Sequence, residues 1–335
     1  MVHTKEVLKD RFGRPHDYVR ISVTDKCNLR CVYCMPEEGM TFFPDDSLLS
    51  KEEIVLLCTQ FAQLGIEKIR LTGGEPLLRG DILPIIEGIA AIPGITDISI
   101  TTNGLLLAKN AEKLKQAGLS RLNISLDTFE PKRYREITRG GNLKQLLKGL
   151  EAAQTAGFEQ IKLNVVVMQN QNEQELVDFL RYTLEHQVNV RFIELMPIGE
   201  NNTSQWQKNY LGIEGVFQLC QQNGWEYQQI QLDGNGPSVN YQIKGAQGSF
   251  GLIHPVSCRF CESCNRLRVT ADGFLKSCLY WEDEIDLRSV IGDSKAFVAR
   301  VAAALNSKPE NHEMALDYQE KNPKKTWRHM SQIGG

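Results

Sequence analysis

The chain has 335 residues, 41% of them hydrophobic and 24% charged, with a net charge of −3 at neutral pH. That balance suits a soluble globular protein of one large domain with a smaller one appended, or of two ordinary domains, and it excludes wholesale disorder. It also excludes a broadly basic nucleic-acid surface, and apolar runs such as 164–168 are far too short to span a membrane. 

The first eighteen residues lack the apolar core of a secretion signal, so a reducing cytoplasm is the expected compartment. From 18 to 195, short β-branched runs at 18–24, 68–73, 97–104, 121–126, 161–167 and 190–195 alternate with helical spacing at 50–64, 81–92, 108–118, 141–157 and 172–186. In the first helix Ile54, Leu57, Cys58 and Phe61 share a face, and Ser50 with Glu53 reads as a capping box. Gly65, Gly118 and Gly157 suit left-handed caps. Six strand–helix units predict a parallel sheet with right-handed crossovers. Six are too few for a closed barrel of eight, so the expected fold is α/β, an incomplete (βα)6 TIM-like barrel over 14–198. Chemistry in such barrels sits at the C-terminal strand ends. The segments TDKC, TGGEP, TTNG, SLD and MPIG all follow strands directly and should face one pocket.

After Pro197 the texture changes. A loop is expected at 199–206, a helix at 212–224, strands at 226–232, 238–243 and 249–253, and a helix at 282–305, followed by a polar run without regular structure. Residues 199–335 thus read as a smaller C-terminal α+β region.

Nine cysteines, an odd number in a reducing compartment, argue against disulfides. Cys58 and Cys220 lie alone in apolar surroundings and read as core thiols. Cys27, Cys31 and Cys34 form C-x3-C-x2-C, with no further Cys or His between residues 17 and 57. Crowded thiolates suit zinc or iron–sulfur, but structural zinc asks for a fourth ligand. A [4Fe–4S] cluster on three cysteines instead leaves one iron open to a small molecule. Cys261, Cys264 and Cys278, preceded by Cys258, form a second group whose spacing fits a zinc ribbon as well as an iron–sulfur centre. Beside it Arg266 and Arg268, two apart, point the same way on an extended segment. A structural knuckle has no need of paired guanidiniums, whereas a triphosphate does.

A C-x3-C-x2-C loop after a first strand resembles the radical S-adenosylmethionine (SAM) superfamily. The resemblance narrows with FCESCNRLRVTADGFLKSCL (260–279), RLTGGEPLLR (70–79), ITTNG (100–104), VRFIELMPIG (190–199) and the terminal IGG. Over about residues 14–335 these resemble the GTP 3′,8-cyclase family of molybdenum cofactor biosynthesis. The resemblance implies that Cys27, Cys31 and Cys34 hold a [4Fe–4S] cluster whose open iron chelates SAM. A 5′-deoxyadenosyl radical would then take the 3′ hydrogen of GTP, and the ribose radical would attack C8 of guanine, a lyase-type cyclisation. Tyr33, Gly74, Ser125 and Met196 match the positions lining SAM.

Cys261, Cys264 and Cys278 match the ligands of a second [4Fe–4S] cluster, open toward guanine; Cys258 departs from that pattern and reads as a spare thiol. Arg20, Arg70, Thr101, Lys162, Arg191, Arg266 and Arg268 match GTP contacts. Four of these cations, at 20, 70, 162 and 191, sit within strand-like runs, where an unpaired buried charge would be costly. Gly334 and Gly335 match a double-glycine tail that reaches the active site. No side chain is expected to act as nucleophile or general acid–base. The implied partners are GTP, an electron donor and, for the product, cyclic pyranopterin monophosphate synthase, with no nucleic acid or membrane; a monomer or a homodimer is equally compatible. Two other readings are a peptide-modifying radical enzyme, for which the paired arginines have no use, and a non-catalytic zinc-binding module.

Overall fold

The computed structural model describes residues 8–198, 203–232, 236–257, 260–312 and 326–334. Cys258 and Gly335 lie outside them. After a short hairpin, Leu8–Lys9 with Pro15–His16, six strands alternate with helices: β1 Tyr18–Ser22, β2 Lys68–Thr72, β3 Asp97–Thr102, β4 Arg121–Ser125, β5 Ile161–Val167 and β6 Asn189–Glu194. All pair in parallel in sequence order. All their Val, Ile and Leu side chains but Val166 and Ile193 are buried, as a sheet covered on both faces requires.

The helices form where the sequence places start and stop signals. α1, Lys51–Gln63, opens on the Ser50–Glu53 capping box. The glycine caps at 65, 118 and 157 adopt φ of +93°, +103° and +79°. α2 Ile82–Ala90, α3 Leu107–Gln116, α5 Leu143–Thr155 and α6 Leu176–Glu185 follow the expected order. Between α3 and α5 the sequence reading left out α4, Pro131–Ile137. It is under two turns long, started by Glu130 accepting from the Lys132 and Arg133 amides and by Pro131 at its first position.

The C-terminal half adds strands to both edges of the same sheet. β7 Tyr227–Ile230, β8 Val239–Ile243 and β9 Ser249–Ile253 extend it beyond β6, with β9 parallel to β6. β10 Arg266–Val269, β11 Phe274–Lys276 and β12 Ile285–Asp286 extend it beyond β1, with β10 parallel to β1. The order is β12-β11-β10-β1-β2-β3-β4-β5-β6-β9-β8-β7, an open sheet of twelve strands.

Three expectations need correction. Residues 203–209, within and just past the expected loop, form helix α7, Thr203–Asn209. The segment 282–305 is helical only from Ser294: α9 spans Ser294–Ser307, because Asp293 accepts from the amides of Lys295 and Ala296 and fixes the start there. Helix α8, Gly215–Gln222, lies as expected. The terminal polar run is not structureless where described: Met330–Ile333 form a buried helix, α10. Among the described residues no helix is long and apolar enough to cross a membrane.

Candidate active site

Register places the cations. Arg268 on β10, Arg20 on β1 and Arg70 on β2 lie opposite one another in one row across three neighbouring strands. Cross-strand partners share a face, so all three point to one side of the sheet. Two further rows bring Thr101, Asn123 and Lys162 into line, and Ser125, Asn164 and Arg191.

Above these rows lies a cavity that opens to solvent, with about 1070 Å³ of empty space counted out into its mouth. It is lined by Arg20, Arg70, Thr101, Arg191, Arg266, Arg268 and Met196, and by Cys261, Cys264 and Cys278. Lys162 and Ser125 are not among its lining residues; Lys162 stays buried within β5. Burial, reinforced by Arg70, lowers Arg191 to about 9; burial and the neighbouring Arg70 and Arg266 lower Arg20 to about 10. Tyr18 and Phe260 partly offset this repulsion. The Arg70 guanidinium sits 5.4 Å from the Tyr18 ring centre and that of Arg266 4.5 Å from Phe260. Such a cluster of desolvated cations is complementary to a polyanion.

The first cysteine loop leaves β1 and crosses the end of β2 closely. The amides of Gly74 and Glu75 donate to the carbonyls of Thr24 and Lys26, each at 2.8 Å. A Cβ on Gly74 would stand 2.3 Å from the Lys26 carbonyl oxygen, so only glycine fits. Glu75, fully buried, accepts from the Thr102 hydroxyl (2.8 Å), the Asn103 amide (2.7 Å) and the Leu77 amide (3.0 Å). Burial nevertheless pushes its carboxyl up to about 7. On the far side the Tyr33 hydroxyl donates to Asp127 at 2.9 Å, and Asp127 also accepts from the Val166 amide. The strand ends of β2 to β5 thus hold the loop.

Its three thiols lie close enough to act on one another. Burial pushes Cys34 up to about 12, with Cys27 adding to the shift; Cys31 rises well above the thiol range through burial, Cys34 and Cys27. Cys27 Sγ accepts from the Leu29 amide at 3.4 Å. Among the described residues no three His, Cys, Asp or Glu side chains converge as they would on a single ion. Three grouped thiols, two of them with an amide aimed at sulfur, fit the thiolate-held iron–sulfur cluster that the loop's spacing suggests. The second triad behaves alike. Cys278 and Cys264 add to the rise that burial imposes on Cys261. Against burial, Arg266 and Lys308 draw Cys264 down to about 6. Cys58 and Cys220 are core thiols, fully buried.

The tail enters between these groups. Gly334, at φ +73°, packs against Thr72 and Ser22, and its carbonyl accepts from Arg268 at 2.9 Å. The Ser331 amide donates to the Cys34 sulfur, and Ile333 shares an apolar cluster with Met196 and Cys278.

Sequence reasoning passed over Glu75 and Asp127, although both stand inside quoted motifs. It also passed over Tyr18, Asn164, Phe260 and His312 on the cavity wall. A lone Asn in the run IKLNVVV and an aromatic just before the second triad were the available signals.

An open parallel α/β barrel carrying a three-cysteine loop above its first strand defines a radical SAM enzyme architecture. The pattern described as "Radical SAM superfamily" matches residues 21–183, and that described as "Molybdenum Cofactor Synthesis C" matches 188–314. The chain is 60% identical over 330 residues to the GTP 3′,8-cyclase of Limosilactobacillus fermentum, covering 98% of this chain and 99% of that one. It is 56% identical over 333 residues to that of Listeria monocytogenes serovar 1/2a, covering 98% and 100%. Among solved structures, Streptococcus suis SuiB bound to S-adenosylmethionine aligns with a TM-score of 0.54 at 16% identity, covering 86% of this chain and 68% of that one. The likeness to SuiB is one of fold. The chain belongs to the GTP 3′,8-cyclase family of the radical SAM superfamily. With that membership come SAM and a [4Fe–4S] cluster as cofactors.

Proposed function

We propose that the chain converts GTP to 3′,8-cyclo-7,8-dihydro-GTP, the first step of molybdenum cofactor biosynthesis. The observation that carries this reading is the wall of five arginines, 20, 70, 191, 266 and 268, on one cavity that also opens onto the second cysteine triad. When bound, SAM and the first cluster would supply the 5′-deoxyadenosyl radical that takes the ribose 3′ hydrogen. C3′ would then join C8 of guanine, and one electron from the reductant with one proton would complete the 7,8-dihydro ring. Cys27, Cys31 and Cys34 would hold that cluster, with Tyr33, Gly74, Ser125 and Met196 around SAM. Cys261, Cys264 and Cys278 would hold a second [4Fe–4S] cluster facing guanine. Residues 14–198 then generate the radical, while 199–335 fix the base and complete the substrate wall.

The chain's own task is to orient and enclose. Forked guanidiniums from three adjacent strands grip the triphosphate at fixed spacing, and Thr101 adds a hydroxyl at the cavity wall. Lys162, buried on the face it shares with Thr101, adds positive charge without lining the cavity. Pro237, Ile253 and Pro255 line the cavity with apolar surface, which limits water around a reactive intermediate. Gly334 helps close the space between the two cysteine groups. A cytoplasmic setting, a low-potential electron donor and transfer of the product to cyclic pyranopterin monophosphate synthase complete the proposal.

The test is anaerobic reconstitution with iron, sulfide, SAM, a reductant and GTP. About eight irons per chain, 5′-deoxyadenosine and a cyclised nucleotide are expected, with Arg266→Ala and Arg268→Ala losing GTP binding. Zinc without iron, or SAM cleavage indifferent to GTP, would overturn the reading.

A further inference from the structure

The tail helix α10 has four residues, too few to hold a helix without outside support. Its support begins two residues upstream. Arg328, 2% exposed, donates from Nε and Nη2 to the two carboxylate oxygens of Glu284 at 2.6 and 2.7 Å. From Nη1 and Nη2 it donates to both oxygens of Asp272 at 3.1 and 3.0 Å. Asp272 stands in the turn between β10 and β11, and Glu284 just before β12, where Lys276 also reaches it at 3.3 Å. The guanidinium lies 5.6 Å from the Phe43 ring centre, on the segment that follows the first cysteine loop, and 5.5 Å from that of Phe274. The Thr326 amide donates a hydrogen bond to the Tyr280 carbonyl at 2.8 Å.

We propose that Arg328 is a positioning residue, a latch whose two-carboxylate socket on the β10–β12 sheet edge fixes the C-terminal tail between the cysteine groups. The socket belongs to the edge that carries Arg266 and Arg268. One rigid unit therefore sets both the substrate-side arginines and the carbonyl of Gly334. Because Ser331 reaches Cys34 from the same short helix, releasing the latch frees the contacts to both sites together. This inference rests on the cyclase reading for its catalytic consequence, and on geometry alone for the latch.

The test compares reconstituted wild type, Arg328→Met, Arg328→Lys and Asp272→Asn by amide hydrogen exchange and by steady-state turnover. In Arg328→Met, exchange across 330–334 should rise at least tenfold while peptides from β1–β6 stay unchanged. Turnover of GTP should fall at least tenfold, with SAM affinity altered less than threefold. Arg328→Lys, which keeps charge but loses the fork, should fall between. Should Arg328→Met fail to fold, Asp272→Asn must show the same two changes in weaker form. Unchanged exchange at 330–334 in a folded variant overturns the latch, as does full turnover with the tail released. A wild type that makes no cyclised nucleotide overturns the cyclase reading instead, and the exchange data still decide the latch.

Discussion

Arg268 on β10 donates across 2.9 Å to the backbone carbonyl of Gly334, six residues beyond the latch at Arg328. Arg268 is 4% exposed and sits beside Arg20 and Arg266, so this carbonyl is one of few acceptors offsetting its charge. The contact depends on glycine. A Cβ on Gly334 would fall 2.1 Å from Thr72 Oγ1, at a φ that costs other residues about 1 kcal/mol or more. Gly334→Ala should therefore expel the tail, cutting GTP turnover at least tenfold while the melting temperature moves by no more than about 2 °C. Adding Thr72→Ala removes the clashing hydroxyl and should restore part of the turnover, an interaction that a double-mutant cycle reads directly. Purely additive losses would show that this overlap is not what excludes the side chain.

The same reasoning applies at the other end of the site with a different readout. Gly74→Ala drives a methyl into the Asp25 and Lys26 carbonyls, at 2.5 and 2.3 Å, and so displaces the loop that presents Cys27. Iron content after reconstitution should drop from about eight to about four per chain, with the second triad still loaded. Retention of all the iron would mean that the loop tolerates the shift.

How much of this site could be read in the sequence depended on whether local or distant chain carried the information. The capping box at Ser50 and the glycine caps are local, and they set the helices where the sequence places them. The rhythm of six strands gave the parallel sheet for the same reason. What the period could not reveal was the pairing of β10 with β1 and β9 with β6, since partners lie hundreds or tens of residues apart. That pairing is what lines up Arg268 with Arg20 and Arg70. Lys162 illustrates the converse: register sets this cation on the face it shares with Thr101 and Asn164, yet it is buried and does not line the cavity. Arg328 was invisible because the run after 305 reads as polar, and only a socket built by distant carboxylates holds it.

The arginine wall predicts opposing effects on stability and binding. Arg191 has a folded pKa of about 9 against an ordinary 12.5, so its charged form is disfavoured by folding. Below pH 9 the group opposes the fold, and that opposition fades as pH rises from about 9 toward 12.5. Arg191→Met removes it. At pH 7 the ligand-free protein should gain about 1 kcal/mol or more, while inorganic triphosphate should lose at least tenfold in affinity. Thermal unfolding with and without triphosphate separates the two effects. A destabilised variant would show that the arginine is already compensated within the chain.

His16 gives a pH dependence of the same sign in a lower window. It is wholly buried between the Arg14 carbonyl, to which Nδ1–H donates at 2.9 Å, and the Lys308 ammonium, from which Nε2 accepts at 2.9 Å. Burial, then Lys308, lowers it from 6.5 to about 4, with Asp10 opposing. The neutral ring is favoured in the fold, so its stabilisation is complete above pH 6.5 and is lost as pH falls toward 4. The shift corresponds to about 3 kcal/mol across that window. His16→Gln keeps an acceptor for Lys308 and cannot titrate. Urea unfolding of metal-free protein between pH 7 and 4 should therefore show wild type losing about 3 kcal/mol more than the variant. Parallel curves would mean that the hairpin at residues 8–16 opens before His16 charges, and that the brace it makes between Arg14 and the Arg266 carbonyl, through Lys308, is not part of the cooperative core.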